Sequence, residues 1–157
     1  MPQSFACCYC HLIFSTKGRL DPASNFGSFI VIDDFAKKYP QTTGRVLAAF
    51  LRASDFASQE ENRNELYDIW AKAGQSRASV AVDYDGDVLR ERSNPLLDDF
   101  YVANAKRGVQ FAVDQKLIKQ GFDVETWIDR KSLDATLKSL GYERAWKPHD
   151  ANGAPQG

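Results

Sequence analysis

At 157 residues, 43% hydrophobic and 26% charged, the chain has the make-up of one ordinary soluble domain able to bury a core. Its formal net charge of −1 excludes a nucleic-acid footprint or an anion-attracting surface written in bulk composition. No apolar run reaches the roughly 18 residues of a membrane span, and the opening MPQSFACCYCHLIFSTKG lacks a basic leader and a small-residue cleavage site, so no export signal is expected in the sequence as written.

In chain order, residues 8–15 form a β-prone run, and TKGRLDPASNFGS after them carries the Gly and Pro punctuation of a loop. FIVI, residues 29–32, reads as a buried strand, and DDFAKKYP as a short helix stopped by Pro40. Val46, Leu47, Phe50, Ala53 and Ala57 then share one face at helical spacing, which predicts an amphipathic helix. Ser58 with Glu61 matches a capping box for the next helix, whose stripe is Leu66, Ile69, Trp70 and Ala73 and whose end is Gly74. These two helices are expected to form a hairpin. A turn-rich stretch over residues 83–95 precedes the longest predicted helix, residues 96–119, with Leu97, Tyr101, Ala105, Gly108 and Ala112 facing inward between Val102, Val109 and Val113. Glycine costs a helix interior about 1 kcal/mol relative to alanine, so a close-passing element is expected at Gly108. Asp123 caps a one-turn helix carrying Val124 and Trp127; Asp129 caps a second with Leu133, Leu137 and Leu140, ended by Gly141. Trp127 and Trp146 read as packing anchors. KPHDANGAPQG reads as a frayed tail, and His149 in it as a surface histidine without a role.

Chemistry-bearing patterns are few. Cys7, Cys8 and Cys10 crowd into four positions with no second cluster, whereas a structural zinc site needs about four ligands. They are read as small apolar residues of a strand beside His11, and their odd count argues against a disulfide framework. DYDGD, residues 83–87, alternates three carboxylates like a calcium loop, but Gly86 falls inside the triplet and Asn94 stands where the closing Glu belongs, so a solvated acidic turn is the preferred reading. The sequence contains no G-x-S-x-G elbow, phosphate-binding glycine loop or histidine pair at metal spacing, and His11 and His149 are its two histidines. No catalytic residue, metal or cofactor is expected.

SNFGSFIVIDDFAKKYP, RVLAAFLRASDFASQEEN and FAVDQKLIKQGFDVETWIDRKSLDATLKSLGY, in one collinear order over residues 14–146, resemble the C-terminal half of the nitrate, sulfonate and taurine group of ABC-transporter substrate-binding proteins. The thiamine-precursor-binding branch and a desulfinase on the same scaffold are also similar. The resemblance implies an α/β, helix-rich, partial periplasmic-binding-protein type II fold: two N-terminal strands followed by five to six helices, with the first half of the fold absent. It implies one partial domain over residues 1–157, divided into a strand-rich crossover and cleft-side segment (1–32), a helical part completing the first lobe (33–146) and the tail (147–157). ASNFGS resembles a cleft-facing loop, which makes Asn25, Gly27 and Ser28 the candidate ligand-binding residues, although Asn25 and Ser28 suit a tight turn bonding its own backbone equally well. The implied function is capture of a small organic anion for an ABC permease. The alternatives are a desulfinase-like or pyrimidine-synthesis-like enzyme, or a truncated gene product. The implied location is periplasmic for the family, against cytoplasmic for the sequence as written, with self-association through the exposed face of an incomplete lobe.

Overall fold

The computed structural model describes residues 10–11 and 28–156. Strands β1 (Cys10–His11) and β2 (Ser28–Phe29) pair antiparallel, with Cys10 opposite Phe29 and His11 opposite Ser28. β2 is shorter than the FIVI run predicted: Ile30 and Ile32 lie outside it and are more than half exposed. Helix α1 (Asp33–Lys38) has acids in its first turn and lysines in its last, which favours the helix dipole. Pro40 does not merely end it. Pro40 is the first residue of α2 (Pro40–Ser58), where a missing N–H costs nothing because first-turn donors have no intrahelical partner.

α2, at 19 residues, is longer than the 16-residue α6 that the sequence had suggested as the longest helix. Its buried face is rotated from the expected stripe: Leu51 is fully buried and Ser58 nearly so, while Val46 and Ala53 are exposed. Two serines make that rotation possible. The Ser58 hydroxyl donates to the Ser54 carbonyl at 2.7 Å and accepts from the Trp146 indole at 2.9 Å, so a polar side chain faces the core fully satisfied. Ser58 therefore closes α2 rather than capping the next helix. A 3₁₀ turn (Glu60–Asn62) intervenes, and α3 (Arg63–Lys72) ends near Gly74, whose φ of 101° suits glycine. Leu66 and Tyr67 are the buried residues of α3, while Ile69 and Ala73 are exposed.

The expected hairpin of α2 and α3 is replaced by a pairing of α3 with α4 (Arg77–Asp83), which Ser76 caps by accepting the Ser79 N–H. The stretch read as turns, residues 83–95, thus contains α5 (Leu89–Arg92) and begins where α4 ends, with buried Val80, Tyr84 and Leu89 completing a cluster with Leu66 and Tyr67. A second cluster joins Leu51, Leu133, Leu137 and Trp146. α2 contributes to both, through Ala57 to the first and Leu47 and Leu51 to the second, and so spans the core.

α6 (Asp99–Asp114) is capped by Asp98 and buries Phe100, Val102 and Asn104. It stops five residues short of the expected end, with Lys116 at a φ of 57° in the turn that follows. Nothing lies within 4 Å of a Cβ built on Gly108; at Gly121 instead, an added Cβ would lie 3.5 Å from the Val109 side chain and 3.8 Å from that of Val113 on α6. The last two helices, α7 (Val124–Trp127) and α8 (Arg130–Leu140), agree with the sequence: Asp123 and Asp129 cap them, and Gly141 ends α8 in the left-handed region at φ 73°. The tryptophans differ, with Trp146 4% exposed and Trp127 48% exposed against Phe122. Residues 147–156 do not end freely: Gln156 N–H bonds the Pro148 carbonyl, Asp150 N–H the Ala154 carbonyl, and His149 pairs with Pro155.

Candidate ligand-binding site

Of the three residues that sequence reasoning put forward, Asn25 and Gly27 lie outside the described residues, as do Cys7 and Cys8. Ser28 begins β2 opposite His11, so the chain leaves the ASNFGS segment directly into the paired strands. That fixes the exit of the segment.

The described residues hold two polar constellations. Around DYDGD, the nearly buried Arg92 guanidinium bonds the Asp83 carboxylate at 2.6 Å, the Asp87 carboxylate and the Asp83 carbonyl, and lies 3.8 Å from the centre of the Tyr84 ring. Arg63 reaches the same turn from α3, donating to the Asp87 carbonyl at 2.7 Å, the Tyr84 carbonyl at 3.1 Å and the Tyr67 hydroxyl at 3.0 Å, while pairing with Glu60. The hydrogen bonds that Arg63 donates to Glu60 hold its carboxyl below the usual range, and burial pushes the Tyr84 phenol up. The acidic turn is consequently not a free solvated loop. Its Asp83 and Asp87 carboxylates are neutralised by Arg92 and Tyr84 is core, so two arginines lock α3, α4 and α5 together. Asp85 alone of the three alternating carboxylates points outward, and it is exposed.

The second constellation was missed from sequence. His149 stands between Glu91, 2.8 Å from Nε2, and Asp98, 3.3 Å from Nδ1, although the tail lies 51 residues beyond Asp98 in the chain. Asp98 caps α6, a role that the helix expected from residue 96 did not assign to it; its second partner, 51 residues away, leaves no local pattern.

An open depression of about 520 Å³ is lined by Ala78, Ser79, Val82 and Asp83. It is a poor anion receptor: its lining offers a carboxylate that repels an anion and a hydroxyl already bonded to Ser76. Among the described residues no group of three or more His, Cys, Asp or Glu could hold a metal ion, and no helix is long and apolar enough to cross a membrane.

No protein-family model matches the sequence, and no curated protein matches it. The fold is similar to a crystal structure from Methylobacillus flagellatus KT, of a protein described as the periplasmic sulfonate-binding protein SsuA of a sulfonate ABC transporter. The TM-score is 0.70 at 23% identity, covering 76% of this chain and 37% of that one. The chain therefore has a helix-rich, partial periplasmic-binding-protein fold, spanning little more than one-third of the neighbour's length.

Proposed function

We propose that this chain is part of the solute-binding component of an ABC importer that captures small organic anions of the sulfonate type and delivers them to a membrane permease. The observation carrying this reading is the shared fold with a protein described as sulfonate-binding. Nitrate and taurine are the neighbouring anions of the group that the sequence resembles, and the periplasm is the compartment in which such a receptor works. Binding is preferred to catalysis because both ring nitrogens of His149 face carboxylates, leaving neither free to activate a nucleophile.

The chain acts in this reading as one partial domain, with residues 1–32 on the cleft side, 33–146 completing a lobe and 147–157 as its terminal segment. A two-lobe receptor encloses its ligand by hinge closure and excludes water from it. A portion matching about one-third of such a fold needs the complementary portion to do so. Asn25 and Ser28 then supply hydrogen bonds to the sulfonate oxygens, and Gly27 lets the backbone approach them.

Calorimetry with an alkanesulfonate tests this on the chain alone and on the chain joined to the complementary portion of the sulfonate-binding neighbour. Binding heat is expected from the joined protein, with Asn25→Ala or Ser28→Ala weakening it by about 1–3 kcal/mol as a buried partner is left unpaired. Tight binding by the chain alone contradicts the partial-domain reading. Indifference of the joined protein to both substitutions removes the site, and silence toward sulfonates, nitrate and taurine removes the function.

A further inference from the structure

Of the chain's asparagines, Asn152 alone precedes a glycine. The residue is exposed, and its side-chain amide has no hydrogen-bond partner among the described residues. It sits in the turn from Asp150 to Gly153, which the Gly153 N–H closes by donating to the Asp150 carbonyl at 2.8 Å. One oxygen of the Asp150 carboxylate accepts the main-chain N–H of Asn152 at 2.8 Å and that of Ala154 at 2.9 Å. Past the turn the chain folds back on itself: Asp150 N–H bonds the Ala154 carbonyl at 2.9 Å, and Gln156 N–H bonds the Pro148 carbonyl at 2.8 Å.

An asparagine followed by glycine is able to cyclise. The Gly153 main-chain nitrogen, having lost its proton, attacks the carbonyl carbon of the Asn152 side chain. A carbon–nitrogen bond forms and closes a succinimide ring, and the side-chain nitrogen leaves as ammonia, taking up the proton that the main chain gave. Water then opens the ring at one of its two carbonyls, yielding aspartate or isoaspartate, with nothing oxidised or reduced. Glycine favours the attack because no side chain crowds its nitrogen. The closed turn opposes it twice. The proton that must leave is held on the Asp150 carbonyl, and the Asp150 carboxylate disfavours a second negative charge on the neighbouring nitrogen. Opening the turn removes both obstacles, and terminal segments open at low cost.

We propose that Asn152 is a site of spontaneous deamidation gated by opening of the Asp150 turn, and that its product releases the fold-back of residues 148–156. Isoaspartate carries the main chain through its β carbon, which inserts an extra backbone atom between Asp150 and Ala154. That atom moves the Gly153 and Ala154 N–H groups off their Asp150 acceptors. Either product also places a new carboxylate beside Asp150.

Peptide mapping by mass spectrometry, after the full chain is incubated in neutral heavy-oxygen water, tests this because ring opening labels position 152 with solvent oxygen. In the folded chain, Asn152 is expected to convert ahead of the other asparagines. Asp150→Ala removes the carboxylate that holds the Asn152 and Ala154 N–H groups, and should speed conversion by about fivefold, the scale of one net hydrogen bond. In urea, where the turn is open in both, the two chains should convert at one rate. The Gln156 amide should exchange faster with deuterium in the converted fraction than in the unconverted one. No label at position 152 in the folded chain, an Asp150→Ala rate equal to the unsubstituted one, an acceleration that persists in urea, or unchanged Gln156 exchange after conversion overturns the proposal.

Discussion

The two C-terminal tryptophans show how far a residue's type underdetermines its role. Trp146 is buried among Leu51, Leu133 and Leu137 and places its indole N–H on Ser58, whereas Trp127 packs on Phe122 with half its surface in water. Trp146→Ala is expected to cost about 3–5 kcal/mol, and Trp127→Ala about 1 kcal/mol, measured by urea unfolding. The reverse order would mean that Trp127 is covered in solution. In DYDGD, Arg92→Met leaves the Asp83 and Asp87 carboxylates without their partner. Breaking a buried pair costs about 3–5 kcal/mol, and the partial exposure of Asp83 reduces this to about 2 kcal/mol. Asp85→Ala, at the exposed member of the turn, should stay within about 0.5 kcal/mol. If Asp85→Ala proved the more damaging, the turn would have a ligand outside the arginine network.

Among the elements, α7 and α8 were fully legible because their signals are local: a carboxylate bonds an N–H two or three residues on, and glycine adopts the positive φ that ends α8. The Ser132 hydroxyl, then its N–H, hold the Asp129 carboxyl below its usual range. A depressed folded-state pKa contributes stability that is present above the unfolded value, about 3.9, and is lost as pH falls through the folded one. Asp129→Ala should therefore cost about 1 kcal/mol at pH 7, and its difference from the unsubstituted chain should shrink below about pH 4. A difference unchanged down to pH 2 would assign the loss to something other than the charged cap. The stripe of α2, the capping box at Ser58 and the close approach at Gly108 were misread because each depends on a partner outside its own helix: Trp146 claims Ser58, and α6 meets the returning chain at Gly121. With open space around its Cβ position, Gly108→Ala should stabilise by about 0.5–1 kcal/mol. Destabilisation in thermal melts would show that something packs there.

For the molecule as a whole, the sequence carried the resemblance in dispersed short segments, and the similarity to the sulfonate-binding neighbour agrees with it at the level of the fold alone. The candidate site was less legible. Asn25 and Gly27 stand outside the described residues, and the His149 constellation needs three elements that only folding brings together. Ile30, Ile32, Tyr39 and Val46 leave apolar surface exposed, of the kind that drives association when contiguous beyond a few hundred Å². In the proposed account that surface meets the complementary portion of a two-lobe receptor. A ligand bound only by the assembled pair must also strengthen the assembly, because linkage is reciprocal. Sedimentation velocity of this chain mixed with the complementary portion of the sulfonate-binding neighbour, with and without an alkanesulfonate, tests both halves of the claim. The account predicts a one-to-one complex whose dissociation constant falls when the sulfonate is added. Two species that sediment independently, with sulfonate present or absent, would contradict it.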